Sequence, residues 1–422
     1  MVEASGNRLE LLYRISQTIN SSLDLDRVME TLMDEVIAAT QAERGFLMLY
    51  DTDGQLTFRT ARGMDQHTIE DGEFSISRTI VDRVASQGIS LLTSNAQADE
   101  RLDQRASVRL YGLRSVLCAP IQMKQQVLGV IYVDNRYQNG IFSNQELELL
   151  ESIASSAAIA IDNARLYQIA VEKGRMEREL QMAREVQASL IPPEMPTLDG
   201  WEFAACWKPA HEVSGDFYDF IPLPGNRLGV IIADVSDKGM PAALFMALSR
   251  SILRAVAGQN GSPAGDIGKA NAIITRDTAE NMFITLFYAE LDSENGTITY
   301  VNAGHNPPIL YQVKAGRQLR LSPTGMAAGV EGDSRYQQHT LKMAAGDFLL
   351  MFTDGVVDAQ GNGEPFSDER LSQMVDQVHS LPAGKLIRAI ENELCIYTQQ
   401  GEPVDDVTLL AIKKGSSMMK GS

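Results

Sequence analysis

Apolar residues follow three successive regimes along the chain. From Leu9 to Ala39 they recur at helical spacing, Leu11, Leu12, Ile15 and Ile19, then Val28, Leu32 and Val36, with the polar run Asn20-Ser21-Ser22 between; two helices are predicted. The period then falls to two. Arg44 to Tyr50 and Leu56 to Ala61 read as strands around Asp51-Thr52-Asp53-Gly54, where Asp-Gly favours a hairpin, and Ser115 to Gln122 and Val127 to Val133 form a second pair. Between the pairs, Ile80 to Gln87 predicts a helix and Thr93 to Arg105 a polar surface loop. This succession describes an α+β domain around one antiparallel sheet.

The second regime is one long helix. Ser143-Asn144-Gln145-Glu146 fits a capping box, with Ser143 accepting from the third helical amide and Glu146 reaching back to the cap. Ile153, Ala157, Ala160, Ala164, Tyr167 and Val171 alternate spacings of four and three, a coiled-coil seam that calls for a parallel partner helix. The seam loses phase at Lys173-Gly174-Arg175, and Met176, Leu180, Ala183 and Leu190 take over until Pro192-Pro193 ends the helix. The break is either a point where helix pairing switches or a glycine tolerated at a cost of about 1 kcal/mol.

From Leu198 the pattern is strand-rich. Strands are predicted at Glu202 to Trp207, Arg227 to Val235, Ile284 to Leu291, Thr297 to Val301, Ile309 to Val313, Asp347 to Phe352 and Val407 to Ile412. Helices are predicted at Pro241 to Gly258, Pro263 to Asn281, Asp368 to Val378 with Ser367 as N-cap, and Pro382 to Gln399. Two packed sheets flanked by helices follow. The expected division is a first domain over 1–166, a linker helix over 167–195 and a second domain over 196–415.

Length and charge narrow the function. A chain of 422 residues favours two or three domains, and 44% hydrophobic with 22% charged residues is a globular balance. A net charge of -18 disfavours generic binding to nucleic acid or anionic membrane. Cys118, Cys206 and Cys395 are widely spaced, without a CxxC pair, so neither a disulfide framework nor a zinc site is expected. No apolar run reaches the ~18 to 20 residues of a membrane span, and the start lacks a signal-peptide pattern, so a cytoplasmic location is expected.

The candidate chemistry centres on Gly229 to Leu248, a strand ending on Asp234, a turn with Gly239 and a helix. Ser214-Gly215-Asp216, Thr353-Asp354-Gly355 and Asp405-Asp406 repeat the theme of a carboxylate beside a strand. Gathered by a fold, these acids repel one another unless a cation joins them. Oxygen ligands without a His or Cys cluster suit Mg2+ or Mn2+. Two such ions about 3.5 to 4 Å apart would activate a water and steady phosphoryl oxygens, the arrangement of a two-metal hydrolase.

Two resemblances sharpen this reading. RGFLMLYDTDGQL, SVLCAPIQMKQQVLGVIYVDNR and FSNQELELLESIASSAAIAIDNARLY resemble a GAF domain, which implies a small-ligand sensor or a dimerisation module. The cyclic-nucleotide signature of some members is incomplete: Asn135-Arg136 and Phe142 are present, but Glu146-Leu147 replaces the acidic pair. Cys118 lacks the following His of a bilin attachment site and reads as a core residue. SGDFYDF, IIADVSDKGMPAALFM, YVNAGHNPPIL, LLMFTDGVVDA and DDVTLLAI, in order, resemble the sporulation and stress-response branch of the PPM (protein phosphatase 2C-like) phosphatases.

That resemblance implies an α-β-β-α sandwich and a metal-dependent serine/threonine phosphatase. It makes Asp216, Asp234, Asp354 and Asp405 catalytic metal ligands of a binuclear site, and adds to the metal-ligating set the Val235 carbonyl and Asp406, which takes the place of a supporting Asn or Asp. The substrate class implied is a phosphorylated anti-sigma-factor antagonist. Asp237, where relatives often have glycine, is either a turn residue or a neighbour of the metals. The segment Cys206-Trp207-Lys208-Pro209-Ala210-His211 lacks the Arg with which the wider superfamily holds phosphate, so either the metals act alone or Lys208 or His211 assists, packing being the stronger reading for both. His305 reads as part of a fixed turn rather than an acid catalyst. The alternatives are a catalytically inactive PPM-like binding module and a ligand-responsive GAF receptor whose output is dimerisation.

Overall fold

The computed structural model describes Tyr13, Arg14, Gln17 and residues 24–51, 53–63, 76–94, 114–277, 282–361, 363–399, 401 and 403–415. Most of the expected first helix, the Asn20-Ser21-Ser22 break and most of the Thr93 to Arg105 loop lie outside these residues. The chain divides into two compact units, Met1–Met176 and Glu177–Ser422.

The first unit is built on helix α1 (Leu25–Thr40), strands β1 (Arg44–Tyr50) and β2 (Leu56–Gly63), helix α2 (Arg78–Gln87), and strands β3 (Leu91–Thr93), β4 (Ser115–Met123) and β5 (Gln126–Asn135). Asp24 caps α1 by accepting from the Asp26 and Arg27 amides, which have no helical partner. The antiparallel sheet has the order β2-β1-β5-β4-β3. Strand alternation sends Leu47, Leu117 and Ile131 to one face, under α1. Phe46, Cys118 and Tyr132 go to the other, under α2.

Helix α3 (Asn144–Leu190) runs unbroken through Gly174. Glu146 accepts from both the amide and the hydroxyl of Ser143, and Ser143 Oγ accepts from the Gln145 amide, one residue earlier than expected. The start of the predicted seam requires correction. Ile153, Ala157 and Ala160 pack into the first unit's own core, on the α1 face of the sheet, and Ala164 is fully buried. Their spacing of four and three serves burial within the chain. Only beyond them does an apolar row stand open: Leu166, Tyr167, Ile169, Val171 and Met176 are each at least half exposed.

The second unit holds two five-stranded antiparallel sheets. One, in the order β13-β10-β9-β8-β7, comprises β7 (Phe217–Leu223), β8 (Arg227–Val235), β9 (Ile284–Asp292), β10 (Thr297–Ala303) and β13 (His339–Lys342). The other, in the order β12-β11-β14-β17-β6, comprises β6 (Trp201–Lys208), β11 (Ile309–Gln312), β12 (Arg317–Arg320), β14 (Phe348–Phe352) and β17 (Val407–Lys414), while β15 (Gln360–Gly361) and β16 (Glu364–Pro365) form a separate two-stranded pair. Leu349, Met351, Leu410 and Ile412 belong to the core shared with the first sheet and with helices α4 (Met240–Val256) and α5 (Pro263–Asp277). Their strand neighbours Phe348, Leu350, Leu409 and Ala411 face a separate core, closed by α7 (Asp368–Val378) and α8 (Ala383–Tyr397), which follow the one-turn helix α6 (Asp354–Val357). This is the expected α-β-β-α sandwich.

Strands β3, β7, β12, β13, β15 and β16 were not among the expected elements. In β7 the alternation is masked by Asp219, fully buried and ion-paired with Arg250 and Arg254 of α4, and by Pro222, which an edge strand tolerates. The expected extension of α5 to Asn281 passes beyond Asp277, where the described residues pause.

Candidate metal centre

The acidic positions lie at the ends of four strands, two from each sheet. Asp216 immediately precedes β7 and Asp234 is the penultimate residue of β8; the register Phe217↔Ala233 sets the two acids side by side. In the other sheet Asp354 follows β14 and Asp405-Asp406 precede β17, with Phe352 opposite Leu409 and the Thr353 amide donating to the Thr408 carbonyl. Packing the sheets face to face brings both pairs to one end of the sandwich. Gly355 is required there, because a Cβ would overlap the Asp406 carbonyl.

Asp216 is the most deeply buried of the set, 1% exposed. Its Oδ2 accepts from Thr353 Oγ and Thr408 Oγ, both at 2.7 Å, so one hydroxyl from the end of β14 and one from β17 seat it. Ser214 Oγ accepts from the Asp216 amide at 3.0 Å. Asp406 uses both oxygens to clamp the same loop, accepting from the Ala210 amide at 2.8 Å, Ser214 Oγ at 2.7 Å and the Gly215 amide at 2.9 Å. The Val235 carbonyl lies beside Gly215. Gln187 of α3 adds a two-point bond to this loop, donating to the Ser214 carbonyl and accepting from its amide.

Charge is the distinctive property of this end of the fold. Burial first, then the charges of Asp234 and Asp406, push the Asp216 carboxyl well above its usual range. Asp234 is pushed up to about 7, by burial first and then by Asp354; Asp354 is raised by burial and by Asp405. The cluster therefore resists its own ionisation, a cost that bound cations remove. Among the described residues no group of three or more His, Cys, Asp or Glu side chains is drawn together closely enough to enclose an ion. Mg2+ and its like are commonly held by one or two carboxylates with water completing the shell, so an open, all-oxygen, mutually repelling set fits such ions without a closed cage.

The remaining candidates are placed as follows. Lys208 is ion-paired with Glu391 of α8. His211 is exposed, on the loop before Ser214. Asp237 takes a positive φ of 81° in an exposed turn, where its own carboxylate accepts from the Lys238 amide, which accounts for glycine being suited to the position. His305 is buried, its Nδ1 3.0 Å from Thr285 Oγ and its amide bonded to Asn302 Oδ1. Burial lowers its pKa to about 3, with the Phe352 carbonyl opposing, so the ring is neutral at ordinary pH and braces β9. Sequence reasoning passed over Ser214, Thr353, Thr408 and Lys238, whose Nζ is 2.9 Å from Asp405 Oδ2. Their adjacency to the acidic motifs was the available signal.

In the first unit the signature residues are occupied with structure. Asn135 Oδ1 accepts from the Tyr137 and Gln138 amides, Arg136 pairs with Glu43, and Phe142 is buried. Cys118 is fully buried with its thiol pushed far up by desolvation, consistent with a core residue.

Comparison with known proteins resolves the two halves. Residues 24–161 match the GAF domain, and residues 224–415 match Stage II sporulation protein E (SpoIIE). The chain joins a GAF domain to a SpoIIE-type domain. The SpoIIE match contains Asp234, Asp354, Asp405 and Asp406, whereas Asp216 lies before it and is placed by geometry alone. Among relatives, Protein IcfG of Synechocystis sp. is 33% identical over 270 residues, covering 57% of this chain and 42% of that protein. Phosphoserine phosphatase RsbU of Bacillus subtilis is 26% identical over 239 residues, covering 57% of this chain and 71% of that protein. The chain thus spans less than half of the first of these relatives. The SiaA-PP2C domain of Pseudomonas aeruginosa superposes with a TM-score of 0.52 at 21% identity, covering 58% of this chain and 99% of that domain, which shows the PP2C fold. No described helix is long and apolar enough to cross a membrane.

Proposed function

We propose that the chain is a phosphatase acting on phosphoserine or phosphothreonine in a protein, dependent on divalent cations and regulated by its GAF half. The observation that carries this reading is the convergence of Asp216, Asp234, Asp354 and Asp405 at the ends of four strands, where burial first and then neighbouring carboxylates raise the proton affinity of Asp216, Asp234 and Asp354. In this reading those four acids and the Val235 carbonyl hold two Mn2+ or Mg2+ ions. When bound, the ions supply Lewis acidity toward water and neutralise phosphoryl charge.

The chain's own residues fix the site. Thr353 and Thr408 hold one Asp216 oxygen, and the Asp216 carboxyl lies within hydrogen-bonding reach of Asp234. Asp406, with both oxygens engaged by Ala210, Ser214 and Gly215, acts mainly by holding the loop that presents Asp216. The functional division proposed is sensor 1–166, connector 167–195 and phosphatase 196–415, in the cytoplasm. The exposed apolar row from Leu166 to Met176 supports a parallel homodimer through the connector. A phosphorylated anti-sigma-factor antagonist is the proposed substrate, as the resemblance to the sporulation and stress-response branch implies, and the likeness to a phosphoserine phosphatase supports phosphoserine as the group attacked.

The test is Mn2+-dependent release of phosphate from a phosphoserine protein by the full chain and by Asp354→Asn. Turnover that needs Mn2+ and vanishes in the variant is expected. Equal turnover in the two would overturn the assignment of the site.

A further inference from the structure

A phosphomonoester dianion has to approach a site walled by carboxylates, and two of the basic residues flagged in the sequence are engaged elsewhere. Lys208 is paired with Glu391, and His305 is buried and neutral. Lys238 is placed differently. It stands in the turn between β8 and α4, flanked by Asp237 and Gly239, whose φ values of 81° and 75° are both positive, and this double reversal projects the residue between them. Its Nζ donates to Asp405 Oδ2 at 2.9 Å and lies 3.5 Å from the Val404 carbonyl. The side chain is 55% exposed, so the ammonium touches the acid cluster on one side and faces solvent on the other. Its charge also reaches Asp354, lowering the pKa that burial and Asp405 raise.

We propose that Lys238 holds the substrate's phosphoryl group. An ammonium has three donors. Asp405 takes one and the Val404 carbonyl draws a second, and the third is directed to a non-bridging phosphoryl oxygen at the mouth of the cluster. The short, oriented pair with Asp405 restrains a long side chain that would otherwise be mobile, so the donor is in place before substrate arrives. This inference rests on the phosphatase reading and deepens it: it names the cation that takes the role of the missing Arg.

The experiment uses the full chain with Mn2+, p-nitrophenyl phosphate as substrate and inorganic phosphate as inhibitor, and adds calorimetry of Mn2+ binding and of phosphate binding to the Mn2+-loaded protein. Lys238→Met is expected to raise KM, the phosphate inhibition constant and the phosphate dissociation constant by about tenfold or more, the scale of a charge-assisted hydrogen bond. Lys238→Arg restores much of the loss. Lys208→Met leaves all three unchanged. Mn2+ affinity does not fall in Lys238→Met, because a cation competing for Asp405 has been removed. Unchanged phosphate affinity in Lys238→Met overturns the proposal; so does a loss of Mn2+ affinity that accounts for the whole kinetic effect, which would make Lys238 an orienting partner of Asp405. Failure of the underlying reading is separate and visible, as hydrolysis that persists in Asp354→Asn.

Discussion

In the GAF half Asp134 lies buried against Arg44, whose Nε and Nη2 reach its two oxygens at 2.9 and 2.6 Å. In the SpoIIE-type half Asp216 is buried to the same degree, and the charges that act on it are those of Asp234 and Asp406. Both sit at the end of a strand in an antiparallel sheet. The first carboxylate is neutralised inside the chain and closes a structure. The second is seated by two threonines and left among like charges, an arrangement that a folded chain keeps only where something from outside completes it. In the proposed reading, therefore, burial alone does not distinguish a structural acid from a functional one; the sign of its neighbours does.

The comparison yields graded predictions. The largest effect is on activity: Asp234→Asn is expected to lower phosphate release by about a thousandfold or more, since charge stabilisation worth several kcal/mol is lost. In metal-free buffer the same change should raise the unfolding temperature, because it removes a self-repelling charge; a lowered temperature would break the comparison. Asp134→Asn should do the opposite, destabilising the GAF half by about 3 kcal/mol in denaturant titration by removing the carboxylate that neutralises Arg44. Thr353→Val, which withdraws one of the two hydroxyls on Asp216, should cost about 10- to 100-fold in activity or Mn2+ affinity with little change in fold, read by steady-state kinetics and calorimetry.

The smallest effect concerns the connector. Helix α3 passes through Gly174 without a break, and a Cβ there would meet nothing within 4 Å. Gly174→Ala should therefore stabilise the helix by about 1 kcal/mol, measurable by thermal unfolding. Altered activity or dimer affinity in that variant would give the change of register at Gly174 a role in signalling; unchanged values would leave it a tolerated glycine.

These contrasts also explain what the residue pattern disclosed. Strands such as β8 and β17 were legible because their alternating or continuous apolar runs are bordered by an acid, after β8's run and before β17's, and those acids mark the candidate site. Strand β7 was hidden because its buried Asp219 looks polar until Arg250 and Arg254, some thirty residues later, are folded against it. The first part of α3 misled for a related reason. A spacing of four and three fits a partner helix and a sheet of the same chain equally well, and Ile153, Ala157 and Ala160 use it for the latter. Thr353, Thr408 and Lys238 carried no pattern of their own; their roles follow only from which strand ends the sandwich brings together.

Calorimetric titration of Mn2+ into the metal-free full chain, wild type against Asp234→Asn, tests most directly whether the repelling acids form a cation seat. The account predicts saturable binding to the wild type that is lost or greatly weakened in the variant. Absence of binding to the wild type, or equal binding to both, would contradict it.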